Sequence, residues 1–358
     1  MAKIALPKVL FDEKERVFLE ADGVSVSLFR YETGVEAVRL ANKRGHVIVL
    51  PFLGQMLWEG AFDGVHLGLG HRFPAPRPAH VITGTYGCLT FHSGLLANGC
   101  PSPKDTHQLH GEFSCASLES ASLEVGHDAA GGYVRLHGTY EFIEGFGPHY
   151  LATPSVTLRP GETRVAVAMQ VKNCSYLPMD LMYMCHINMP FVPGGRILQG
   201  VASTPENVRV RTAIPAHVHP TSAYRALLDE LARDPGRMAT LDPALSFDPE
   251  QVFYVSNLPR DDAGRTQVML RRPEGDGFFV DYDQQQFPYL VRWLYNNPDT
   301  QVAAIALPAT CYPEGHAAEK AAGRVRELVP GAQAKFCVAL GYLDGPAATE
   351  LENKLKGR

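Results

Sequence analysis

Side chains able to move protons are concentrated in Lys104–Cys115, KDTHQLHGEFSC. Its twelve positions hold His107 and His110 together with Lys104, Asp105 and Glu112. Apolar or Gly/Pro-rich sequence flanks them, GLLANGCPSP before and ASLESASLEV after. Polar groups gathered where the chain turns suit a small-molecule site. Imidazole has an unperturbed pKa near neutrality, which fits it for general acid–base work. If the chain is extended after the turn, alternation sets His110 and Glu112 on one face. Gly111 between them then allows close approach of backbone or ligand. A solvated loop with a hydrogen-bonded histidine is the competing reading of the same residues.

A second stretch, Leu181–Phe191 (LMYMCHINMPF), is strongly apolar and carries His186 and Asn188 two positions apart, hence same-faced on a strand. Burying an imidazole and an amide without partners costs on the order of 1–3 kcal/mol each. Either they are paired inside the core or they face a polar cavity. Arg72 and Arg77 precede the first stretch and could grip a hydroxyl or an anionic substituent. Trp58 and Trp293 are available as stacking platforms for the apolar face of a ligand or as core. His217 and His219 (AHVHP) are spaced to share a metal from a strand, a pattern also common in ordinary loops.

The elements that must position these residues read as strands. VFLEAD, VSVSLFRY and VEAVRLAN open the chain, each ended by Gly, Asp or Asn, and His46–Leu50 is a buried strand followed by one holding Trp58. Residues 64–103 read as long loops over a sheet. SASLEV, YVRLHGTYEF, LATPSVTLR, TRVAVAMQVKN and MDLMYMCHINM follow at short spacing, with clear alternation in Thr163–Lys172. Ser222–Arg233 has helical spacing, a Thr221 or Ser222 cap and an Asp234-Pro235-Gly236 stop. It reads as an insertion, over about 221–235, in a β-rich chain. QVFYVSN, TQVMLRR, GFFVDYD, FPYLVRWLY, QVAAIALPA, a short Glu314–Glu327 helix and AKFCVALGYL complete the chain. The pattern predicts an all-β fold, a large antiparallel sandwich with few short helices, spanning 1–358 as one domain.

Composition narrows the function classes. The 358 residues carry a net charge of −5, with 45% hydrophobic and 20% charged residues, as in a globular protein. No basic tract with interleaved aromatics points to nucleic acid. No apolar run approaches a membrane span, and MAKIALPKVLFDEKERV places charges where a secretory signal needs an apolar core, so a cytoplasmic location is expected. Seven scattered cysteines without CxxC pairs suggest neither a disulfide framework nor a structural zinc site. There is no glycine-rich phosphate fingerprint, and no cofactor is expected.

Several segments, in order, resemble the aldose 1-epimerase (galactose mutarotase-like) superfamily. TYGCLTFHSGLLANGCPSPKDTHQLHGE is similar to its segment ending in Leu-His-Gly. VTLRPGETRVAVAMQVKNCSYLPMDLMYMCHINM is similar to its later segment, in which a strand ending V-x-N leads to one carrying a second histidine. A bacterial branch typically has LYHINFG where this chain has Tyr183–Met189, and EQVFYVSNLPRDDAGRTQVML, FPYLVRWLY and PGAQAKFCVALGY also resemble that branch. The resemblance spans roughly residues 20–345.

It implies a galactose mutarotase-type β-sandwich that interconverts sugar anomers. His186 then matches the acid and His110 the histidine that orients the sugar. Lys104, Asp105, His107, Asn188, Arg72, Trp58 and Trp293 are candidate contacts to a monosaccharide or sugar-acid substrate. The family's late carboxylate lies in a Glu-Pro-Ala-Thr run, and this chain has Leu307-Pro308-Ala309-Thr310. Leucine cannot accept a proton. Glu112, Asp105 and Glu314 are the candidate substitutes, with Glu112 favoured as catalytic because of its expected face. The alternatives are a non-catalytic sugar-binding protein, or a metal-assisted isomerase using His107, His110, Glu112 and His186. No tightly bound metal is expected, because anomer exchange moves protons only between oxygens.

Overall fold

In the computed structural model, which describes residues 2–214, 218–245 and 247–357, antiparallel strands form two sheets. The smaller runs, in spatial order, Ala2–Ala5, Ser120–Asp128, Gly131–Ile143, His149–Leu158, Arg164–Asn173, Gln333–Leu343, Gly277–Asp283, Arg265–Arg271 and Arg196–Leu198. Burial alternates strictly along Arg164–Asn173, so this strand has one wet face, as its sequence predicts.

The larger sheet positions the site. Its central path is Gln251–Val255, Tyr289–Asn296, Gln301–Ala309, Met179–Ile187, Thr90–Leu95 and Leu57–Phe62, with the early strands of the chain continuing one edge. Met179–Ile187 and Thr90–Leu95 are covered on both faces, and so read as apolar runs rather than alternating ones. One face packs on the core between the sheets. The other carries a second cluster that includes Ile48, Trp58, Ile82 and Phe91.

Three elements differ from the sequence reading. Residues 64–103 are not loops throughout: Thr90–Leu95 is a central strand, paired along Met182–Ile187. Its histidine, serine and glycine mask the usual strand composition. The expected Glu314–Glu327 helix is only His316–Ala321, bounded by Gly315 (φ 92°) and Gly323 (φ 66°), after which Arg326–Leu328 pairs with Met179–Leu181. A C-terminal helix, Gly345–Lys356, was not read from the sequence. Asp344 caps it by accepting from Ala347 N at 3.1 Å, and it lays Ala348, Leu351 and Leu355 on Met269, Phe279 and Ala339. The Ser222–Arg233 helix lies where the spacing places it. Thr221 Oγ1 accepts from Tyr224 N at 3.1 Å, and Tyr224, Leu228 and Leu231 join the main core. No helix among the described residues is long and apolar enough to cross a membrane.

Candidate active site

Residues 104–115 form turns, not a strand. His110 and Gly111 are both left-handed, at φ 64° and 74°. A side chain at Gly111 would collide with the carbonyl oxygens of Ala97 and Gly94, so glycine is required by close backbone approach. Two successive left-handed residues turn His110 and Glu112 in different directions, and the shared face expected from alternation is absent. His110 Nδ1 lies 2.9 Å from Ser93 Oγ. That hydroxyl donates to Asn98 Oδ1, so it accepts from the imidazole and fixes the proton on Nδ1. Glu112 instead holds the chain together. Its Oε1 accepts from Leu95 N at 2.9 Å, Leu96 N at 3.0 Å and the Tyr150 hydroxyl at 2.7 Å.

His186 stands on Met179–Ile187 opposite Phe91 and stacks on it, with centroids 4.5 Å apart and planes 16° from parallel. His110 meets its edge at 4.9 Å and Trp293 at 5.7 Å. The residue is 3% exposed, and its Nδ1 is buried without a hydrogen-bond partner, as is Asn188 Oδ1. Asn188 Nδ2 donates to the Cys88 carbonyl at 2.9 Å. Burial, reinforced by His110, holds the His186 imidazole well below its ordinary pKa, so the ring is neutral at neutral pH. His92, one position from Phe91, faces the opposite way into the main core, where it meets the Tyr183 hydroxyl at 2.8 Å.

His186 and His110 line a cavity of about 380 Å³. Met184, Val291, Trp293, Val252 and Leu307 supply its apolar lining. Leu307 is in register with Val291, so the position where the family pattern has a carboxylate does face the cavity. A different carboxylate is present. Glu250, immediately before Gln251–Val255, lines the cavity and is held through both oxygens. Arg211 Nη2 donates to Oε1 at 2.8 Å and Trp293 Nε1 to Oε2 at 2.7 Å. The Arg211 side chain is 6% exposed and that of Glu250 14%.

The other expected residues separate into two groups. Arg72 lies at the cavity wall and pairs with Asp299 at 3.2 Å on the surface, and Trp293 forms wall beside His186. Trp58 packs in the second core cluster behind His71, at 5.7 Å. Lys104 is exposed. Asp105 accepts from Ser102 N and Ala317 N at 2.8 and 2.9 Å, tying this loop to the start of the His316–Ala321 helix. His107 Nδ1 meets the Gln108 carbonyl at 2.8 Å. Glu314 faces a neighbouring pocket. Of the proposed metal set, His110 and His186 adjoin, whereas Glu112 and His107 are bonded elsewhere, and among the described residues no three or more His, Cys, Asp or Glu are arranged to hold a metal. His217 lies outside the described residues. Glu250 and Arg211 were missed by the sequence reading. The available signal was a pair of opposite charges at the ends of two adjoining strands, Val208–Val210 and Gln251–Val255.

The sequence matches the family described as "Domain of unknown function (DUF4432)" over residues 32–341. The chain belongs to this family. Its fold is that of the galactose mutarotase-like proteins. A candidate aldose 1-epimerase from Klebsiella pneumoniae superposes with a TM-score of 0.79 at 18% identity, covering 95% of this chain and 88% of that one. A galactose mutarotase-like protein from Clostridium acetobutylicum gives 0.61 at 12% identity, covering 90% and 99%. A candidate aldose 1-epimerase from Escherichia coli K12 gives 0.52 at 15%, covering 84% and 96%. No curated protein matches the sequence.

Proposed function

We propose that this DUF4432 chain binds a free sugar or sugar acid in the cavity and interconverts its anomers by acid–base catalysis. The observation that carries the reading is an anchored carboxylate, Glu250, and a buried neutral imidazole, His186, both in contact with the indole of Trp293 in one cavity. The volume of about 380 Å³ accommodates a monosaccharide, and the aromatic walls of Tyr86 and Trp293 suit its apolar C–H face.

Glu250, paired with Arg211, takes the proton of the anomeric hydroxyl. His186 gives an N–H to the ring oxygen. A neutral imidazole can polarise and protonate an oxygen on which negative charge develops. The ring opens to the aldehyde, the C1–C2 bond rotates, and closure on the other face returns both protons. His110, its tautomer set by Ser93, orients the sugar hydroxyls. The late carboxylate of the family pattern is thus replaced from a different strand, which lets Leu307 remain apolar.

NMR saturation transfer between the α and β signals of a panel of sugars tests this. Accelerated exchange lost in both His186→Ala and Glu250→Gln is expected, and no acceleration with any sugar that binds would defeat it. Leu307 in the cavity favours one alternative, sugar binding without turnover, which predicts heat of binding in calorimetry with unaltered exchange.

A further inference from the structure

Beside the cavity lies a second pocket, of about 220 Å³, lined by Arg209, Arg211, Arg324, Tyr254, Tyr312 and Glu314 among others. Arg211 lines both spaces, so a ligand in one is next to the other. The pocket is built on four planar groups packed in series. Arg209 lies over Tyr254 at 4.7 Å, Tyr254 against Tyr312 at 4.1 Å, and Arg324 over Tyr312 at 5.1 Å. Such stacking fixes guanidinium planes that would otherwise sweep through many rotamers, and so preorganises their N–H edges.

The donors here exceed the acceptors the protein supplies. Arg324 is committed to Glu319, with two contacts of 2.7 Å. Arg211, a nine-tenths-buried guanidinium, spends one nitrogen on Glu250, and its Nη1 finds only the Cys100 sulfur at 4.0 Å. A buried arginine with five N–H groups ordinarily satisfies more of them than this. Arg209 makes no ion pair among the described residues. The Tyr254 hydroxyl is buried without a partner. Among the described residues Glu314 is the carboxyl facing these groups without a hydrogen bond, and burial raises its pKa.

We infer that this pocket binds an anionic oxygen group, carboxylate or phosphate, carried by the sugar that occupies the adjoining cavity. The inference rests on the proposed sugar site and narrows its substrate class to acidic sugars. Arg209 and Arg211 supply charge-assisted hydrogen bonds and Tyr254 supplies a neutral one.

The test is calorimetry on the full chain at fixed ionic strength with glucose, glucuronate, glucose 6-phosphate and inorganic phosphate. Wild type is expected to bind at least one anionic sugar about tenfold or more tighter than glucose, in line with one or two charge-assisted bonds. Arg209→Ala, at an exposed position, should remove most of that preference while leaving glucose affinity unchanged. Glu314→Gln should keep or strengthen it. Equal affinity for glucose and both anionic sugars, or loss of neutral and anionic binding alike in Arg209→Ala, overturns the inference. If no sugar binds, the proposed function fails. Inorganic phosphate then decides the pocket alone: binding abolished by Arg209→Ala sustains it, and absent binding ends it.

Discussion

The indole N–H of Trp293 donates to Glu250 Oε2 at 2.7 Å while the same ring meets His186 edge-on at 5.7 Å. One side chain therefore sets the spacing between the two groups assigned to proton transfer. Arg211 holds the other carboxylate oxygen, so neither Glu250 oxygen turns freely.

Trp293→Phe should keep the apolar wall and remove the donor. Losing one charge-assisted hydrogen bond is expected to slow anomer exchange by roughly tenfold or more, with little change in thermal stability. Saturation transfer and a thermal melt on the same preparation read both quantities. Unchanged exchange would remove Trp293 from the mechanism and weaken the assignment of Glu250.

Glu112 is expected to matter for stability. Glu112→Ala leaves the Leu95 and Leu96 amides and the Tyr150 hydroxyl without their common acceptor, a loss of about 2–4 kcal/mol. Urea unfolding measures it. Glu112→Gln keeps an acceptor oxygen and should recover part of that stability. An active-site base would instead lose exchange in both variants with the fold intact.

The sandwich was legible because its strands are short, alternating and separated by turn residues, as Arg164–Asn173 and the LRPGET turn illustrate. His186 was legible because a lone imidazole in an apolar run must be satisfied or face a cavity. The local geometry around His110 was not. Period-two reasoning assumes extended backbone, and consecutive left-handed residues at 110 and 111 break it in a way that only the clash at Gly111 reveals. Glu250 is not legible in the sequence because the family pattern points to the position of Leu307. A carboxylate reaching the same cavity from another strand leaves no trace in local spacing.

Acid should destabilise the protein through its buried imidazoles. Burial lowers the His92 pKa to about 3, and it lowers that of His186 too. An unfolded histidine takes a proton near its ordinary value of about 6.5, whereas folded His92 resists until about 3. The unfolded state therefore binds more protons between those limits, and stability falls as pH drops through them, by at most about 1.4 kcal/mol per pH unit per such histidine. Denaturant unfolding at several pH values from 7 to 4 should show this slope, and His92→Gln should flatten it. A pH-independent stability over that range would mean that His92 is protonated in the fold.

The last expectation concerns metal, which separates anomer exchange from isomerisation at carbon. Moving a carbonyl or inverting a carbon centre requires loss of a C–H proton, and a Lewis-acid metal acidifies it by polarising the neighbouring carbonyl. Of the four candidate side chains for such an ion, the fold brings His110 and His186 together and commits the others elsewhere. Glu112 accepts from two backbone amides and Tyr150, His107 is turned to the Gln108 carbonyl, and His110 is tied to Ser93. Converging three of them within about 2.0–2.2 Å of one ion would break these bonds and rebuild the turn at Gly111. Elemental analysis of protein purified without a metal-affinity tag should accordingly show no near-stoichiometric zinc, manganese or iron, and chelator should leave the melting temperature unchanged. Stoichiometric metal that disappears in His110→Ala would reverse the conclusion, because the turn would then have to rearrange around the ion, and a metal-assisted sugar isomerase would become the better account of the cavity.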